Sequence, residues 1–207
     1  ITNYFFTTSR TANKQLIQSG VEKEKIYFVG NTMIDTLIKH QPNFIKPQLW
    51  DDLNLQVKNY CVITLHSPAN VDEENKLKDT INEIIINSDD MPLVFPMHPR
   101  TAAIFRKLKI KHPRLHILPP LSYLEFNFLV ERSKVVITDS GGITEETTVM
   151  GVPCMTLRDN TERPETVNEG TNELIGTDPK SIAPSFNKLM SGQWKVGKTP
   201  ELWDGKT

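Results

Sequence analysis

The sequence predicts an α/β fold, a parallel sheet with helices on both faces. Two observations carry that expectation. Between Tyr60 and Thr138, short β-branched and apolar runs alternate with helix-like segments, as strand–helix–strand units of one parallel sheet do. The stretch from Thr138 to Glu165 starts at the end of an apolar run, Val135-Val136-Ile137, with a small-residue break that leads into a helix and a second short strand.

Taken in order, Ile1 to Thr8 reads as a strand and Thr11 to Ser19 as a helix ending at Gly20. Ile26 to Val29 is a strand, and Gly30-Asn31-Thr32 turns into a short helix, Met33 to His40. Residues 41–58 mix Pro42, Pro47, Trp50 and several acids without a period, so a connecting loop with a helical turn is expected. Regular alternation follows: strand Tyr60 to Leu65, helix Asp72 to Ile86, strand Leu93 to Met97, helix Thr101 to Leu108, strand Leu115 to Leu118. Next come a helix from Ser122 to Glu131, with Ser122 and Glu125 spaced as a capping box, and a strand from Lys134 to Thr138. Asp139-Ser140-Gly141-Gly142 breaks the chain, Ile143 to Met150 is helical, Gly151 and Pro153 stop it, and Cys154 to Leu157 is a strand. A weak strand, Asn172 to Ile175, and a closing helix, Asp178 to Met190, complete the pattern. No repeat or low-complexity tract is present.

A chain of 207 residues holds one large domain, or a domain and part of another. Its 24 Lys and Arg against 25 Asp and Glu leave a net charge of −1, which argues against nucleic acid as a main partner. No apolar run approaches membrane-spanning length and no signal-peptide pattern opens the chain, so a cytoplasmic protein without a membrane partner is expected. The first residue is not Met, and an excised fragment is expected. Cys61 and Cys154 fall in predicted buried strands and read as small core residues of a reducing compartment. No Cys/His spacing suits zinc, and neither GxGxxG nor the Walker A loop occurs; no metal, dinucleotide or P-loop chemistry is supported.

The candidate site lies on the C-terminal edge of the predicted sheet, where open α/β sheets bind ligands. His66 follows the first strand of the regular alternation, His98 the second, and Ser140 the fourth. The strand–glycine–helix unit presents free N–H groups at a helix start, a natural anion site, and Gly141 and Gly142 let a phosphate approach closely. The same residues also fit a plain N-cap and a tight turn. Glu146, four residues beyond Gly142, shares its helix face and suits sugar hydroxyls. Arg158 and Arg163 follow the next strand within reach of the same ligand, with the planar fork that matches phosphate; Arg158-Asp159 and Glu162-Arg163 equally fit ion pairs bracing a loop. His66 suits proton transfer or ligand contact, or else a loop-pinning hydrogen bond. A structural or binding role suits His98 better than catalysis. His40, His112 and His116 lie in segments expected to be exposed. Asp72-Glu73-Glu74 fits a helix N-terminus better than a metal site.

Along the chain stand VGNTMIDTL at 29–37, LHSPANVDEENKL at 65–77, FPMHPRT at 95–101, LPPLSYLEF at 118–126, TDSGGITEE at 138–146 and RDNTERPETVNEGTNELIGTD at 158–178. Together they resemble the C-terminal half of the UDP-N-acetylglucosamine 2-epimerases of the non-hydrolysing, bacterial and archaeal type. The resemblance covers nearly the whole chain. DSGG…EE followed by RDNTERPE is highly specific; DSGG alone is not.

This resemblance implies a glycosyltransferase-B-like fold of two Rossmann-like domains with the active site between them. Residues 1–40 then match the end of the N-terminal domain and the hinge, and 41–207 the C-terminal, UDP-binding domain. The rest of the N-terminal domain, with the family's catalytic carboxylates, lies outside this chain. TPELWDGKT resembles the start of the family's last helix, which crosses back to the first domain. By the same resemblance Ser140, Gly141 and Gly142 hold the UDP diphosphate, Glu146 the ribose, and Arg163 the phosphates and sugar. Phe126 lines the uracil pocket, Leu121 offers backbone contacts to the base, and His66 is the cleft histidine implicated in catalysis. Similar enzymes interconvert UDP-GlcNAc and UDP-ManNAc by eliminating UDP to a glycal and adding it back, without metal or redox cofactor. A homodimer of the full-length protein is expected, serving cell-envelope polysaccharide synthesis. One departure stands out. Ser67-Pro68 follow His66 where many bacterial members carry arginines that help bind a second, activating UDP-GlcNAc. His98 matches another residue of that region, but without those arginines the pattern of the allosteric site is incomplete in this chain. A hydrolysing relative that releases UDP and ManNAc shares these motifs, and a nucleotide-binding module without chemistry is a third reading.

Overall fold

The computed structural model describes residues 2–207. Two parallel sheets form. β1 (Phe5–Thr7) and β2 (Ile26–Phe28) pair with each other alone, joined through α1 (Arg10–Gln18). The second sheet holds β3 (Cys61–Thr64), β4 (Leu93–Pro96), β5 (Leu115–Leu118), β6 (Val135–Thr138), β7 (Cys154–Thr156) and β8 (Asn172–Leu174). Its order is β5-β4-β3-β6-β7-β8, all parallel. This is the doubly wound Rossmann-like arrangement expected from the alternation. Its order reverses between β3 and β6, so the switch point lies where Leu65-His66 and Asp139-Ser140 leave the sheet.

Side chains along these strands alternate between two cores, as a period of two requires. Cys61, Ile63, Leu93, Phe95, Val135, Ile137 and Met155 enter the larger core. It is covered by α5 (Glu74–Asn87), α6 (Pro99–Leu108) and α10 (Ile182–Met190). Tyr60, Val62, Val94, Val136 and Cys154 face the other side, under α3 (Leu49–Asp52), α7 (Tyr123–Arg132) and the flank of α8 (Gly141–Val149). Cys61 and Cys154 therefore point to opposite faces; both are buried free thiols.

Several boundaries differ from expectation. Gly141 and Gly142 are not a break before the helix but the first turn of α8, with Ser140 at its N-cap. The helix expected over 72–86 forms as α5, from Glu74 to Asn87, and a separate short helix, α4 (Pro68–Val71), precedes it. A further short helix, α9 (Pro164–Asn168), sits inside the RPETVN stretch. The closing helix begins as a 3₁₀ turn at Pro179–Ser181, and α10 runs only from Ile182. The strand expected over Ile1 to Thr8 covers Phe5–Thr7; Ile1 lies outside the described residues. Ser122 and Glu125 do form the capping box of α7.

Helix α2 (Thr32–His40) packs against α8, with Ile34 and Leu37 fully buried beside Val149 and Met150. The C-terminal segment 191–207 returns to the same place without forming a helix. Trp203 is 1% exposed in that cluster, and its Nε1 donates to Thr8 O at 2.9 Å. Gly30 shows why a glycine is needed before α2. Its φ is +109°, and a Cβ there would meet Leu202 O at 2.4 Å. Among the described residues no helix is long and apolar enough to cross a membrane.

Candidate functional site

The loop after β3 is built around the carboxylate at the end of β6. Asp139 has a side chain 0% exposed, and His66 Nδ1 lies 2.8 Å from its Oδ1. The backbone N–H groups of His66 and Ser67 donate to the same carboxylate at 3.1 and 2.9 Å to Oδ2. Asn70 Nδ2, carried by α4, adds a bond at 3.1 Å to Oδ2 and another at 2.9 Å to Leu157 O. Burial works against the charge on Asp139, but the bonds from His66, Ser67 and Asn70 outweigh it and hold its pKa below the ordinary value. Hydrogen bonding to Asp139 raises the His66 pKa in turn, against the opposing effects of burial and of Arg158. With a side chain 53% exposed, His66 reaches the open edge while its Nδ1 is fixed. Asp139 and Asn70 were not singled out from the sequence; the former was visible only as part of DSGG.

Helix α8 starts beside this pair. Thr138 Oγ1 accepts the Ser140 N–H at 3.0 Å and meets Thr64 Oγ1 at 2.7 Å, which pins β6 to β3 just below the helix start. The Ser140 side chain makes no capping bond. The first-turn N–H groups of Gly141, Gly142 and Ile143 have no carbonyl partner within the helix. Next to them, Arg158 grips Glu162 with Nη2 to Oε1 at 2.9 Å and Nη1 to Oε2 at 3.1 Å. The pairs expected from sequence neighbours, Arg158-Asp159 and Glu162-Arg163, are not those that form. Asp159 instead accepts the Thr177 N–H at 3.2 Å.

Arg163 turns to α8. Its Nε lies 2.6 Å from Glu145 Oε1, an oxygen that also takes Asn31 Nδ2 at 2.9 Å. The next residue, Glu146, faces the opposite neighbour. Tyr123 on α7 donates its hydroxyl to Glu146 Oε1 at 3.0 Å, and the His40 ring stands edge-on to Tyr123 at 6.5 Å. Burial raises the Glu146 pKa, with Glu145 adding to the rise and the bond from Tyr123 opposing it. Leu121 and Phe126, just before and within α7, sit half-buried on the fringe of the core that Ile143 of α8 also joins. The structure thus brings Leu121, Phe126 and Glu146 to one flank of α8. Ser140, Gly141, Gly142 and His66 lie at its start, and Arg163 on its other flank. His98 stands exposed after β4, one strand further from the switch point. Its loop is tied in by Thr101 Oγ1, which donates to Leu65 O at 2.8 Å. His40, His112 and His116, expected exposed, are half-buried. No cluster of metal-ligating side chains occurs among the described residues.

A sequence profile described as UDP-N-acetylglucosamine 2-epimerase matches residues 1–207. The chain belongs to that family. A UDP-N-acetylglucosamine 2-epimerase of Methanocaldococcus jannaschii is 35% identical over 214 residues, which covers 94% of this chain and 57% of the relative. Its crystal structure in complex with UDP-GlcNAc and UDP matches 99% of this chain and 59% of that one, with a TM-score of 0.83 and 32% identity. A UDP-2,3-diacetamido-2,3-dideoxy-D-glucuronate 2-epimerase of Pseudomonas aeruginosa is 34% identical, over 96% of this chain and 54% of the relative. The chain therefore spans little more than half the length of these family members. The motif at 138–146 forms the start of α8, and those at 118–126 and 158–178 supply its two flanks.

Proposed function

We propose that this chain forms the UDP-binding part of an epimerase that interconverts UDP-N-acetylglucosamine and UDP-N-acetylmannosamine. The observation that carries this reading is the start of α8, unsatisfied N–H groups at the switch point of the sheet, standing between the His66–Asp139 pair and the buried Glu146. A diphosphate fits the helix start, where N–H groups and the helix dipole favour an anion. The ribose hydroxyls fit Glu146, and the base fits the Leu121–Phe126 flank. Arg163 adds charge on the far side of the helix.

In the reaction a base removes the C2 proton of the sugar, the C1–O bond breaks, and its electron pair leaves with UDP to give a glycal. A proton then returns to C2 from the other face, and UDP adds back at C1. The helix start and the arginines stabilise the charge gathering on the leaving diphosphate. His66, its Nδ1 fixed by Asp139, offers Nε2 for proton transfer near neutral pH. The carboxylates that exchange the C2 proton belong to the part of the family fold outside this chain. Residues 1–40 are the end of the N-terminal domain and the hinge, and 41–207 the UDP domain; the separate pairing of β1 with β2 supports that division. The full-length protein is proposed to act in the cytoplasm as a homodimer that feeds cell-envelope polysaccharide synthesis.

Incubating the full-length protein with UDP-GlcNAc in heavy water, followed by proton NMR, tests this reading. UDP-ManNAc bearing deuterium at C2 is expected. Free ManNAc and UDP would place the protein with hydrolysing relatives, and bound UDP without turnover would make it a binding module. The similarity to the Pseudomonas enzyme supports a second reading, the same C2 inversion on a more heavily substituted UDP-sugar. Turnover of a diacetamido uronate alone would select it.

A further inference from the structure

A phosphate arriving at the start of α8 finds a carboxylate already there. A Cβ built on Gly141 would lie 3.7 Å from Glu162 Oε2 and 3.8 Å from Arg158 Nη1. The two side chains are joined by parallel bonds of 2.9 and 3.1 Å, the fork-to-fork geometry that guanidinium makes with carboxylate and phosphate alike. Their exposures differ. Arg158 is 26% exposed, whereas Glu162 is 65% exposed. The arginine is thus seated against the protein, close enough to Asp139 and His66 to feel both, and the glutamate stands in water.

We propose that Glu162 is a placeholder for the diphosphate of the substrate: its carboxylate occupies the anion position between the start of α8 and Arg158, and swings out when the diphosphate enters. The proposal rests on the nucleotide reading above and adds Arg158 and Glu162 to it. Three points support it. Carboxylate and phosphate are the groups that both an arginine fork and a helix N-terminus accept. An ion pair in water contributes little, so a ligand with more than one negative charge and contact to the first-turn N–H groups outcompetes it. Arg163 is not free to make the same exchange. Its Nε is tied to Glu145, whose side chain is 3% exposed, and leaving would deprive a buried carboxylate of its counter-charge, with only the neutral Asn31 amide still bonded to it. Of the two arginines after β7, Arg158 is the one that changes partner.

Calorimetric titration of UDP into the wild type, E162Q, R158Q and the double variant tests the exchange, with E146A as a reference for the nucleotide site. E162Q is expected to tighten UDP about two- to fivefold, the scale of one exposed ion pair. R158Q is expected to weaken it about tenfold, the scale of a charge-assisted hydrogen bond, and to abolish the gain from E162Q in the double variant. Weaker UDP binding by E162Q would make Glu162 a ligand contact, and an unchanged affinity would make the pair a loop brace; either overturns the placeholder. If E146A still weakens UDP in that case, the nucleotide site stands without it. If neither E146A nor R158Q alters UDP binding, both readings fall.

Discussion

Asn31 Nδ2 stands 2.9 Å from Glu145 Oε1, and both side chains are buried. The same asparagine accepts the Met33 N–H at 3.0 Å through Oδ1 and so caps α2. One side chain thus starts α2 and fastens it to α8. Glu145 closes the network by holding Arg163, so the segment before the six-stranded sheet, helix α8 and the RPE loop share one buried carboxylate.

Glu145→Ala should destabilise the fold by about 1–3 kcal/mol, because Asn31 is left with an unpaired buried donor. Asn31→Ala should cost a similar amount, since it removes a helix cap as well. Urea unfolding measures both. A loss confined to UDP binding, with stability intact, would contradict the bracing role.

On the other flank, Glu146→Ala should weaken UDP by roughly 1–3 kcal/mol through lost ribose bonds. Tyr123→Phe removes only the donor that orients that carboxylate. It should weaken UDP less than Glu146→Ala does, by about 0.5–1.5 kcal/mol. Equal losses would place the Tyr123 hydroxyl on the ligand itself.

His66 and Asp139 give stability a pH signature. His66 titrates above its ordinary 6.5, so its share of the stability is complete below that value and is lost as pH rises through the raised one. Asp139 titrates below its ordinary 3.8, so its share is present above that value and is lost as pH falls through the lowered one. The Tm difference between wild type and His66→Asn should therefore be largest near about pH 5–6 and shrink by about pH 9. Because His66 is half exposed, the difference at the optimum should stay within about 1 kcal/mol. A difference that grows with rising pH would reverse the assignment.

In the full-length protein, His66→Asn should lower kcat far more than it weakens UDP. Steady-state kinetics beside UDP calorimetry separates the two. Equal loss in both would make His66 a binding residue.

Gly30→Ala should cost more than about 2 kcal/mol, since the left-handed conformation strains any side chain and the new Cβ meets a carbonyl. Thermal unfolding measures it. A silent substitution would show that the C-terminal segment does not hold its place against Gly30.

Much of the fold was legible because short apolar, β-branched runs mark strands: Val135-Val136-Ile137 marks β6, buried on both faces, and Leu115–Leu118 marks β5, an edge strand that is only partly buried. The short helices were not. α4 and α9 have four and five residues, each opened by a proline, and no hydrophobic period can emerge over that length. Bonds to distant groups fix α4 instead, as Asn70 shows with Asp139 and Leu157. Gly141 and Gly142 looked like a break because glycine disfavours helix interiors, but at a first turn the cost is small and close approach is gained. In the site, residue types were legible and partners were not. Arg158 and Arg163 each chose a carboxylate that was not the neighbour in sequence, since a loop brings residues four or eighteen positions apart as close as adjacent ones.

The bond between Trp203 and Thr8 joins residues 195 positions apart. Closing so long a loop is entropically costly and is repaid only after the intervening sheet exists. The tail should then dock late in folding and peel away early in unfolding. Trp203 would report that step by its fluorescence before the six-stranded sheet has begun to melt.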